Sequence, residues 1–416
     1  MSAYARVRGL EMDWGDSSDQ ATFRDDVASF IESRLPEYYR RLAEQGDQGD
    51  WQTDRFLGDD EAKAAAAEWE AAVHERGWVA PHWPQEYGGA GMSSMEHFIL
   101  NEEMSKAGAP QVGGQGVAML GPTLIVHGTD EQKSKFLTAT LNGDIAWAQG
   151  YSEPSAGSDL ASLQTRAIRD GDEWVVNGQK IWTSNAHRAD WIFALVRTDP
   201  DAPKHRGISF MLMDMETPGI SVRPLISGGW RHFSNETFYE DVRVPATQVV
   251  GEVNRGWYVG MTLLDYERSS IGGAVEMERQ LMAAIEYIHD DEGAEKSRVD
   301  ELPSVRAEIA DRYIEIQVSF NLSFRIASMQ ASGLIPNMEA SMGKVFSSEV
   351  SQRVHRTGTR MFGLYSNVWD EDSEYSPYRS RFTQNYFHRI PATIAGGTSE
   401  IQRNIIATRG LGLPRG

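Results

Sequence analysis

The carboxylate of Glu267 is the ionisable group of this sequence whose surroundings best suit proton transfer. On a helix, residues three and four positions apart share a face, and the face that carries Glu267 is otherwise apolar. A buried carboxylate costs several kcal/mol unless it is paired, or else its pKa rises, as a general base near neutral pH requires. An ion pair with an arginine from another helix is the alternative. The neighbours on this face are Gly260, Leu264, Ile271 and Ala274.

A polar loop at 150–159 is the second candidate for chemistry. Its sequence is Gly-Tyr-Ser-Glu-Pro-Ser-Ala-Gly-Ser-Asp, with hydroxyls at Ser152 and Ser158. Pro154 and Gly157 restrict the backbone in a way that can leave N–H groups free for a polar, planar or phosphorylated ligand. An ordinary turn of the same composition is the alternative.

Two tryptophans and a glycine pair could also contact a ligand. Trp147 and Trp182 flank the loop and could wall a flat heterocycle, although such residues also serve as ordinary core. Gly397 and Thr398 stand before an apolar helix, where they could offer donors to a ligand or simply cap the helix. The histidines show no metal-binding spacing, so the sequence predicts no zinc site.

Composition limits the classes of protein to which the chain can belong. Its 416 residues, 40% hydrophobic and 24% charged, are typical of a globular protein of two or three domains. The absence of cysteine excludes disulfides and thiolate chemistry. The net charge of −20 argues against binding to nucleic acid or to an anionic membrane. No apolar run approaches the ~20 residues of a membrane span, and no secretory signal is visible, so a cytoplasmic location is predicted.

Helical patterns occupy the first and last thirds of the chain. Apolar residues recur there at three- and four-residue spacing, which predicts amphipathic helices. The predicted helices cover 18–45, 60–77, 93–108, 130–141, 256–289, 303–332, 336–360 and 397–408.

The middle third has the pattern of β-strands. Asn177-Gly178 lies between two short apolar runs and predicts a hairpin turn. Further strands are predicted at Trp191–Arg197, Ile208–Met213 and Phe238–Val244. The order of helices, strands and helices predicts an α+β fold whose strands form an antiparallel barrel or sandwich.

Four motifs stand in the order and at the spacing of one enzyme family. They are residues 151–159, 177–185, 396–403, and 239–245 with Gly251. Together they resemble the acyl-CoA dehydrogenases, which use FAD, and the resemblance covers the chain from residue 20 onward. It implies a helical N-terminal domain at 1–143, a middle β-barrel or sandwich at 144–251 and a C-terminal four-helix bundle at 252–416.

The resemblance also implies where FAD would bind. The isoalloxazine would lie against the middle domain, with Thr398 and Glu400 near it from the C-terminal side. Ser158 would reach toward substrate or cofactor. The residues that would line the isoalloxazine are Gln149, Ser152, Trp182 and Ser184.

The family reaction needs a base, and the resemblance assigns Glu267 to that role. A carboxylate removes the α-proton of an acyl-CoA thioester while hydride leaves Cβ for flavin N5. Many members carry the carboxylate just before the C-terminal Gly-Thr, where this chain has Gly396. A branch that resembles isovaleryl-CoA dehydrogenase places it directly before an arginine on the first long C-terminal helix, as in Glu267-Arg268. Arg268 and Asp265 would then contact the pantetheine part of CoA.

Two segments depart from the family pattern. Homotetrameric members carry Arg-x-x-Phe-Gly after the first C-terminal helix and Gln-x-x-Gly-Gly-x-Gly further on, and both hold the adenosine and pyrophosphate end of FAD in the neighbouring subunit. Here residues 291–298 have no match, and 357–363 keep only the last glycine. This loss favours an α2β2 heterotetramer with a second acyl-CoA dehydrogenase-like subunit, as in bacterial steroid side-chain degradation, over a homo-oligomer.

The substrate and the class of reaction leave alternatives open. The small residues Ala395 and Gly396 favour a roomy pocket for a large or branched acyl chain, such as a sterol-derived one. The resemblance implies an electron-transfer flavoprotein as the acceptor. One alternative is a flavin monooxygenase or oxidase of the same fold, although such relatives typically lack a base like Glu267. The other is a non-catalytic partner subunit of a heteromeric dehydrogenase.

Overall fold

Helices and strands occupy separate stretches of the chain, which confirms the α+β class. The computed structural model describes residues 15–266 and 272–414, with the side chains of all but 264–266. The N-terminal helices are α1 (Ser18–Arg34), α2 (Glu37–Glu44), α3 (Trp51–Leu57), α4 (Asp60–Glu75), α5 (Ser94–Lys106), α6 (Gly121–His127) and α7 (Asp130–Leu141).

The helix predicted at 18–45 is in fact two helices. Leu35 has extended backbone angles (φ −67°, ψ 123°), and Pro36 follows it. The proline ring disfavours helical geometry in the preceding residue, so α1 ends at Arg34. The prediction also missed α3, where the Asp50 side chain accepts a hydrogen bond from the Thr53 amide, and α6.

The middle segment forms one mixed, mostly antiparallel sheet. Its spatial order is β6-β7-β3-β2-β4-β5-β8, and β1 pairs with β4 in parallel. The strands are β1 (Trp147–Gly150), β2 (Arg166–Asp170), β3 (Glu173–Lys180), β4 (Trp191–Arg197), β5 (Ile208–Asp214), β6 (Ile220–Ile226), β7 (His232–Pro245) and β8 (Val249–Val250).

The hairpin turn predicted at Asn177-Gly178 is wrong. Strand β3 runs through both residues, and the turn lies at Gly171 between β2 and β3. Gly178 has φ 147°, and the register of β3 against β7 shifts beside it. A Cβ at Gly178 would lie 2.7 Å from the Cα of Thr165. Glycine here serves a bulge and a close backbone approach, which a turn signal also fits.

Alternate residues of β4 enter two different cores. Phe193 and Leu195 pack with N-terminal residues such as Trp83. Ile192 and Ala194 belong to a second core, whose members all come from the middle segment. Side chains alternate across a strand, so β4 is buried on both faces. The sheet therefore packs against itself as in a barrel, and its outer side carries the N-terminal helices.

The C-terminal helices extend from the sheet into a bundle. Residues Val259 and Leu263 of α8 are buried in the core that the sheet shares with the N-terminal helices. Among the described residues, no helix combines the length and apolar character needed to span a bilayer. These helices are α8 (Gly256–Tyr266), α9 (Gly272–Tyr287), α10 (Asp291–Lys296), α11 (Pro303–Ala331), α12 (Asn337–Phe362), α13 (Arg381–His388) and α14 (Ser399–Ile405).

Candidate active site

The loop at 150–159 leaves the sheet at the end of β1 and closes on itself. The Glu153 amide donates to the Ala156 carbonyl (3.0 Å), and the Ala156 amide donates back to the Glu153 carbonyl (3.1 Å). The Ile181 amide donates to the Ser152 carbonyl (2.9 Å). Ser152 is half-buried and Ser158 is exposed. The loop is thus an ordered turn, and its first part is fixed to the segment that leads to Trp182.

A buried ion pair lies beneath this loop. The Lys180 ammonium donates to Glu153 Oε1 (2.8 Å) and to the Tyr151 carbonyl (3.1 Å). Lys180 is fully buried. The Glu153 carboxylate also accepts the backbone N–H groups of Gln164 (2.6 Å) and Thr165 (2.9 Å). Both charges therefore have partners, as buried charges require.

Sequence reasoning missed this pair. Positions 174, 176 and 180 of β3 are the buried ones, and the last of them is Lys180. Burial lowers the pKa of Lys180 to about 8, although Glu153 opposes the fall. Burial by itself would raise the pKa of Glu153, but Lys180 and the hydrogen bonds from Gln164 and Thr165 hold it below its ordinary value.

Trp182 stands on a sharp turn beside the loop. Its φ of 61° is rare for a bulky residue and signals local strain. Its side chain is 64% exposed, which excludes the interpretation as ordinary core. Trp147 differs, because it is 2% exposed and its Nε1 donates to Thr140 Oγ1 (2.8 Å). Trp147 is therefore an ordinary core residue, which is one of the two interpretations that the sequence left open.

The turn that carries Trp182 is held from β7 by Asn235. The amides of Thr183 and Asn235 donate to each other's carbonyls (2.9 and 3.1 Å), and Asn235 Nδ2 donates to the Thr183 carbonyl (3.0 Å). The rings of His187 and His232 stack at 3.9 Å, and both hydrogen-bond to the Asn235 side chain. Burial, with His232 and Arg188 nearby, lowers the pKa of His187. These contacts fix the direction of the exposed indole.

Several polar groups in this region have no partner among the described residues. Thr183 Oγ1 and Asn185 Oδ1 are buried without a hydrogen bond. Buried polar atoms normally have a partner, so such orphans point to a ligand or an ordered water. The half-buried side chains of Gln149, Ser152 and Ser184 lie on the same stretch of β1, loop and turn. The structure therefore brings these three predicted residues and Trp182 to one region of the middle segment.

Thr398 and Glu400 lie at the start of α14. The Thr398 side chain accepts a hydrogen bond from the Ile401 amide (3.2 Å), so it caps the helix. Glu400 is exposed in the first turn, where backbone and Thr398 hydrogen bonds lower its pKa. Both residues border a cavity of about 620 Å³, as does Ser399, whose buried hydroxyl has no partner within the described part of the chain. All the residues that line this cavity lie between 349 and 403.

The remaining predicted site residues are placed less fully. Glu267 and Arg268 lie outside the described residues, and only the backbone of Asp265 is described, in the last turn of α8. Ser158 is exposed next to Asp159, whose carboxylate pairs with Lys204 (2.6 Å). Within residues 15–266 and 272–414, no group of three His, Asp or Glu side chains could hold a metal ion.

Comparison with known families covers nearly the whole chain. Three family models match, described as the N-terminal, middle and C-terminal domains of acyl-CoA dehydrogenase, at residues 17–144, 148–242 and 254–411. The chain belongs to the acyl-CoA dehydrogenase family. It is accordingly an oxidoreductase of a family of FAD-dependent flavoproteins.

Individual relatives agree with this assignment. The acyl-CoA dehydrogenase IpdE1 of Mycobacterium tuberculosis is 34% identical over 350 residues, which is 83% of this chain and 88% of that protein. The solved Tcur3481-Tcur3483 steroid ACAD aligns with a TM-score of 0.81 and 35% identity over 97% of this chain and 100% of the other. The ChsE4-ChsE5 complex from Mycobacterium tuberculosis aligns at 0.78 and 33%, with coverage of 97% and 100%.

The residues of this acyl-CoA dehydrogenase fit a flavin. An exposed indole held by a strained backbone can cover one face of a flat heterocycle. The hydroxyls of Ser152 and Ser184 and the amide of Gln149 are engaged by no other described side chain and can supply directional hydrogen bonds at its edge. The orphaned polar atoms of Thr183 and Asn185 are in the same place.

Proposed function

We propose that this acyl-CoA dehydrogenase binds FAD and introduces an α,β-double bond into an acyl-CoA thioester. The observation that carries the proposal is the exposed Trp182 beside the buried polar atoms of Thr183 and Asn185, which have no partner among the described residues. When bound, FAD supplies N5 as the hydride acceptor. Gln149, Ser152, Trp182 and Ser184 would orient the isoalloxazine.

Hydrogen-bond donors near the isoalloxazine would also favour removal of the α-proton. The thioester oxygen gains negative charge as the α-proton leaves, and each well-placed donor to it is worth about 2.7–4 kcal/mol. In this proposal Thr398 and Glu400 approach from the C-terminal side, and Ser158 reaches toward the substrate.

The base in this proposal is Glu267. Its support is positional, since it directly follows α8, which packs on the same sheet as the flavin loop. The alternative family position is occupied by Gly396, which has no carboxylate and has φ 62°. Arg268 and Asp265 are proposed to contact pantetheine.

The proposed substrate has a large or branched acyl chain, such as a sterol-derived one. Support comes from the steroid dehydrogenase among the solved relatives. Ala395 and Gly396 are small, exposed and near the cavity that α12 and α14 border. Their small size leaves room for a bulky acyl chain. We keep an electron-transfer flavoprotein as the proposed acceptor.

The proposed assembly is an α2β2 complex with a second acyl-CoA dehydrogenase-like chain. At the two places where the family's adenosine-binding motifs are absent, this chain packs against itself. A Cβ at Gly293 would lie 1.8 Å from the Tyr287 carbonyl oxygen, and one at Gly358 would lie 2.1 Å from the Phe382 ring. Thr357 is buried. We also keep the domain division at 1–143, 144–251 and 252–416 as part of this proposal.

Anaerobic reduction by substrate tests this function against its rivals. The protein, purified with any chain that copurifies, is mixed without oxygen with a panel of straight, branched and sterol-derived acyl-CoAs. The proposal expects the oxidised flavin band to bleach with a bulky acyl-CoA as the sole reductant. A monooxygenase would need an outside reductant, and a scaffolding subunit would bind acyl-CoA or partner without this bleaching. Either outcome would overturn the proposal.

A further inference from the structure

The ion pair of Lys180 and Glu153 is not explained by stability. Taking two charges out of water costs several kcal/mol for each ion, and apolar residues of similar volume often replace such a pair without loss. Lys180 is fully buried and Glu153 nearly so. A pair held at this cost in the interior must do something that two apolar side chains could not do. Its directional hydrogen bonds are what distinguish it.

These hydrogen bonds join three segments at one carboxylate. Lys180 is the last residue of β3, Glu153 lies in the loop, and Gln164 and Thr165 lead into β2. Lys180 binds Glu153 Oε1, Thr165 N–H binds the same oxygen, and Gln164 N–H binds Oε2. The Thr165 hydroxyl also donates to the Gln179 carbonyl (3.1 Å). Movement of the loop away from β3 would break the bond from Lys180, and movement away from residues 164–165 would break the other two.

The pair holds Ser152 from both sides. Lys180 donates to the carbonyl of Tyr151, the preceding residue, and to the carboxylate of Glu153, the following one. The Ser152 carbonyl itself accepts the Ile181 amide, and Trp182 comes next in the chain. The Lys180 ammonium thus fixes the position of Ser152 in the loop relative to Trp182 in the turn.

We propose that Lys180 and Glu153 are positioning residues that hold the Ser152 hydroxyl and the Trp182 indole in register for the isoalloxazine, and that they tune flavin reduction without touching the flavin. This inference rests on the proposed function. The 2.8 Å contact between the Lys180 ammonium and the Glu153 carboxylate makes this a charge-assisted hydrogen bond. Loosening the pair weakens the hydrogen bond that Ser152 gives to a ring that gains negative charge on reduction.

The test removes both charges together, so that no lone charge is left inside. The double variant combines Lys180→Met with Glu153→Gln. The single variants are Lys180→Arg and Ser152→Ala. Ser152→Ala is also combined with the double variant and with Lys180→Arg. Lys63→Met, at an exposed position of α4, is the surface control. Each is measured in the flavin-loaded assembly by spectroelectrochemical titration, which needs no acyl-CoA, and by anaerobic stopped-flow reduction. Hydrogen exchange of the Gln164, Thr165 and Ile181 amides is followed in the flavin-free protein.

The expected results concern folding, amide exchange, the flavin potential and the rate of reduction. The double variant folds, exchanges these amides faster, has a lower flavin potential, and is reduced about tenfold more slowly, which corresponds to one lost charge-assisted hydrogen bond. Lys180→Arg restores part of the rate. In the Ser152→Ala background the double variant adds little further loss, because both changes act through the same hydroxyl.

A wild-type potential and rate in the folded double variant would overturn the inference, and so would full additivity with Ser152→Ala. If the double variant does not fold, Lys180→Met alone is judged by the same criteria, since the Glu153 carboxylate still accepts the backbone N–H groups of Gln164 and Thr165. The proposed function fails differently, when the unaltered protein is not reduced by any acyl-CoA. The potential and the amide exchange would still report on the ion pair in that case.

Discussion

Helix α8 contacts the loop at 150–159 where Gly260 faces Tyr151. A Cβ at Gly260 would lie 3.2 Å from the Tyr151 hydroxyl oxygen and 3.4 Å from the methyl carbons of Leu195. Tyr151 begins the loop that carries Ser152, and Glu267 follows the end of α8. This contact therefore sets the distance between the helix that leads to the proposed base and the loop that leads to the proposed flavin site.

A larger side chain at position 260 should increase the distance between the proposed base, Glu267, and the proposed flavin site. We expect Gly260→Leu to push α8 from the sheet and lower kcat about tenfold or more, because a misplacement of about 1 Å can cost 100-fold. Flavin content should change little, since the loop and turn are held by their own hydrogen bonds. Gly260→Ala is the matched control, and it should be near neutral because its neighbours need to give by only a few tenths of an ångström. Equal kcat in the leucine variant and the parent protein would contradict this relationship.

Removing the exposed indole should weaken flavin binding. Trp182→Ala deletes a side chain that is 64% exposed in a left-handed turn, and we expect a loss of about 1 kcal/mol or more in FAD affinity. Trp230→Ala is the matched control, since Trp230 is 79% exposed with φ 59°. Flavin release during gel filtration and fluorescence titration with FAD measure the difference. Equal losses in both variants would remove Trp182 from the flavin site.

The close approach at Gly178 should make alanine destabilising there. Gly178 has φ 147°, and an added Cβ would meet the Thr165 backbone at 2.7 Å. Gly178→Ala should lower the free energy of unfolding by about 1–3 kcal/mol. Gly273→Ala, with no described atom within 4 Å of its added Cβ, should be neutral or slightly stabilising in α9. Urea unfolding of both variants gives the comparison, and a stable Gly178→Ala would mean that β3 does not carry this bulge.

The buried carboxyl of Asp54 should give a pH-dependent stability of defined sign. Burial, with Asp50 and Asp47 nearby, raises the pKa of Asp54 to about 6, against Tyr39 and Tyr38, which lower it. The folded pKa lies above the unfolded one, so this group's contribution is full below its unfolded pKa of 3.8 and is lost as pH rises through about 6.

An asparagine at position 54 removes that titration. Asp54→Asn should therefore raise the melting temperature relative to the parent protein, and the rise should be larger at about pH 7.5 than at about pH 4.5. The exposed Asp25→Asn on α1 is the control and should show no such difference between the two pH values. A larger gain for Asp54→Asn at the acidic pH would show that the sign is wrong.

Much of the fold was predictable because runs and periodic patterns of apolar residues are strong local signals. The three strands expected at 191–197, 208–213 and 238–244 correspond to β4, β5 and the end of β7, since their apolar residues are buried. Local signals failed where one residue type serves two purposes. Pro36 splits a helical pattern, and Gly178 marks a bulge where Asn-Gly usually marks a turn.

The candidate site was predictable only in part. Ser152, Trp182 and Ser184 could be named because their hydroxyls and indole stand in recognisable motifs. The link between Lys180 and Glu153 could not, because it depends on the register of β3 against a loop 27 residues away along the chain. The burial of Trp147 also depends on helices from elsewhere in the sequence. Its indole N–H and its sequence neighbours therefore could not show that it is buried.

The most direct measurement is the rate of flavin reduction by a bulky acyl-CoA in Glu267→Gln under anaerobic stopped-flow conditions. The account predicts a loss of at least about 100-fold, as expected when a general base is removed, with acyl-CoA binding and flavin content retained. Glu252→Gln, an exposed carboxylate just before α8, should reduce at the rate of the parent protein. An unchanged rate in Glu267→Gln would contradict the proposed role of this carboxylate and leave the chain as a scaffold or a flavin enzyme of another kind.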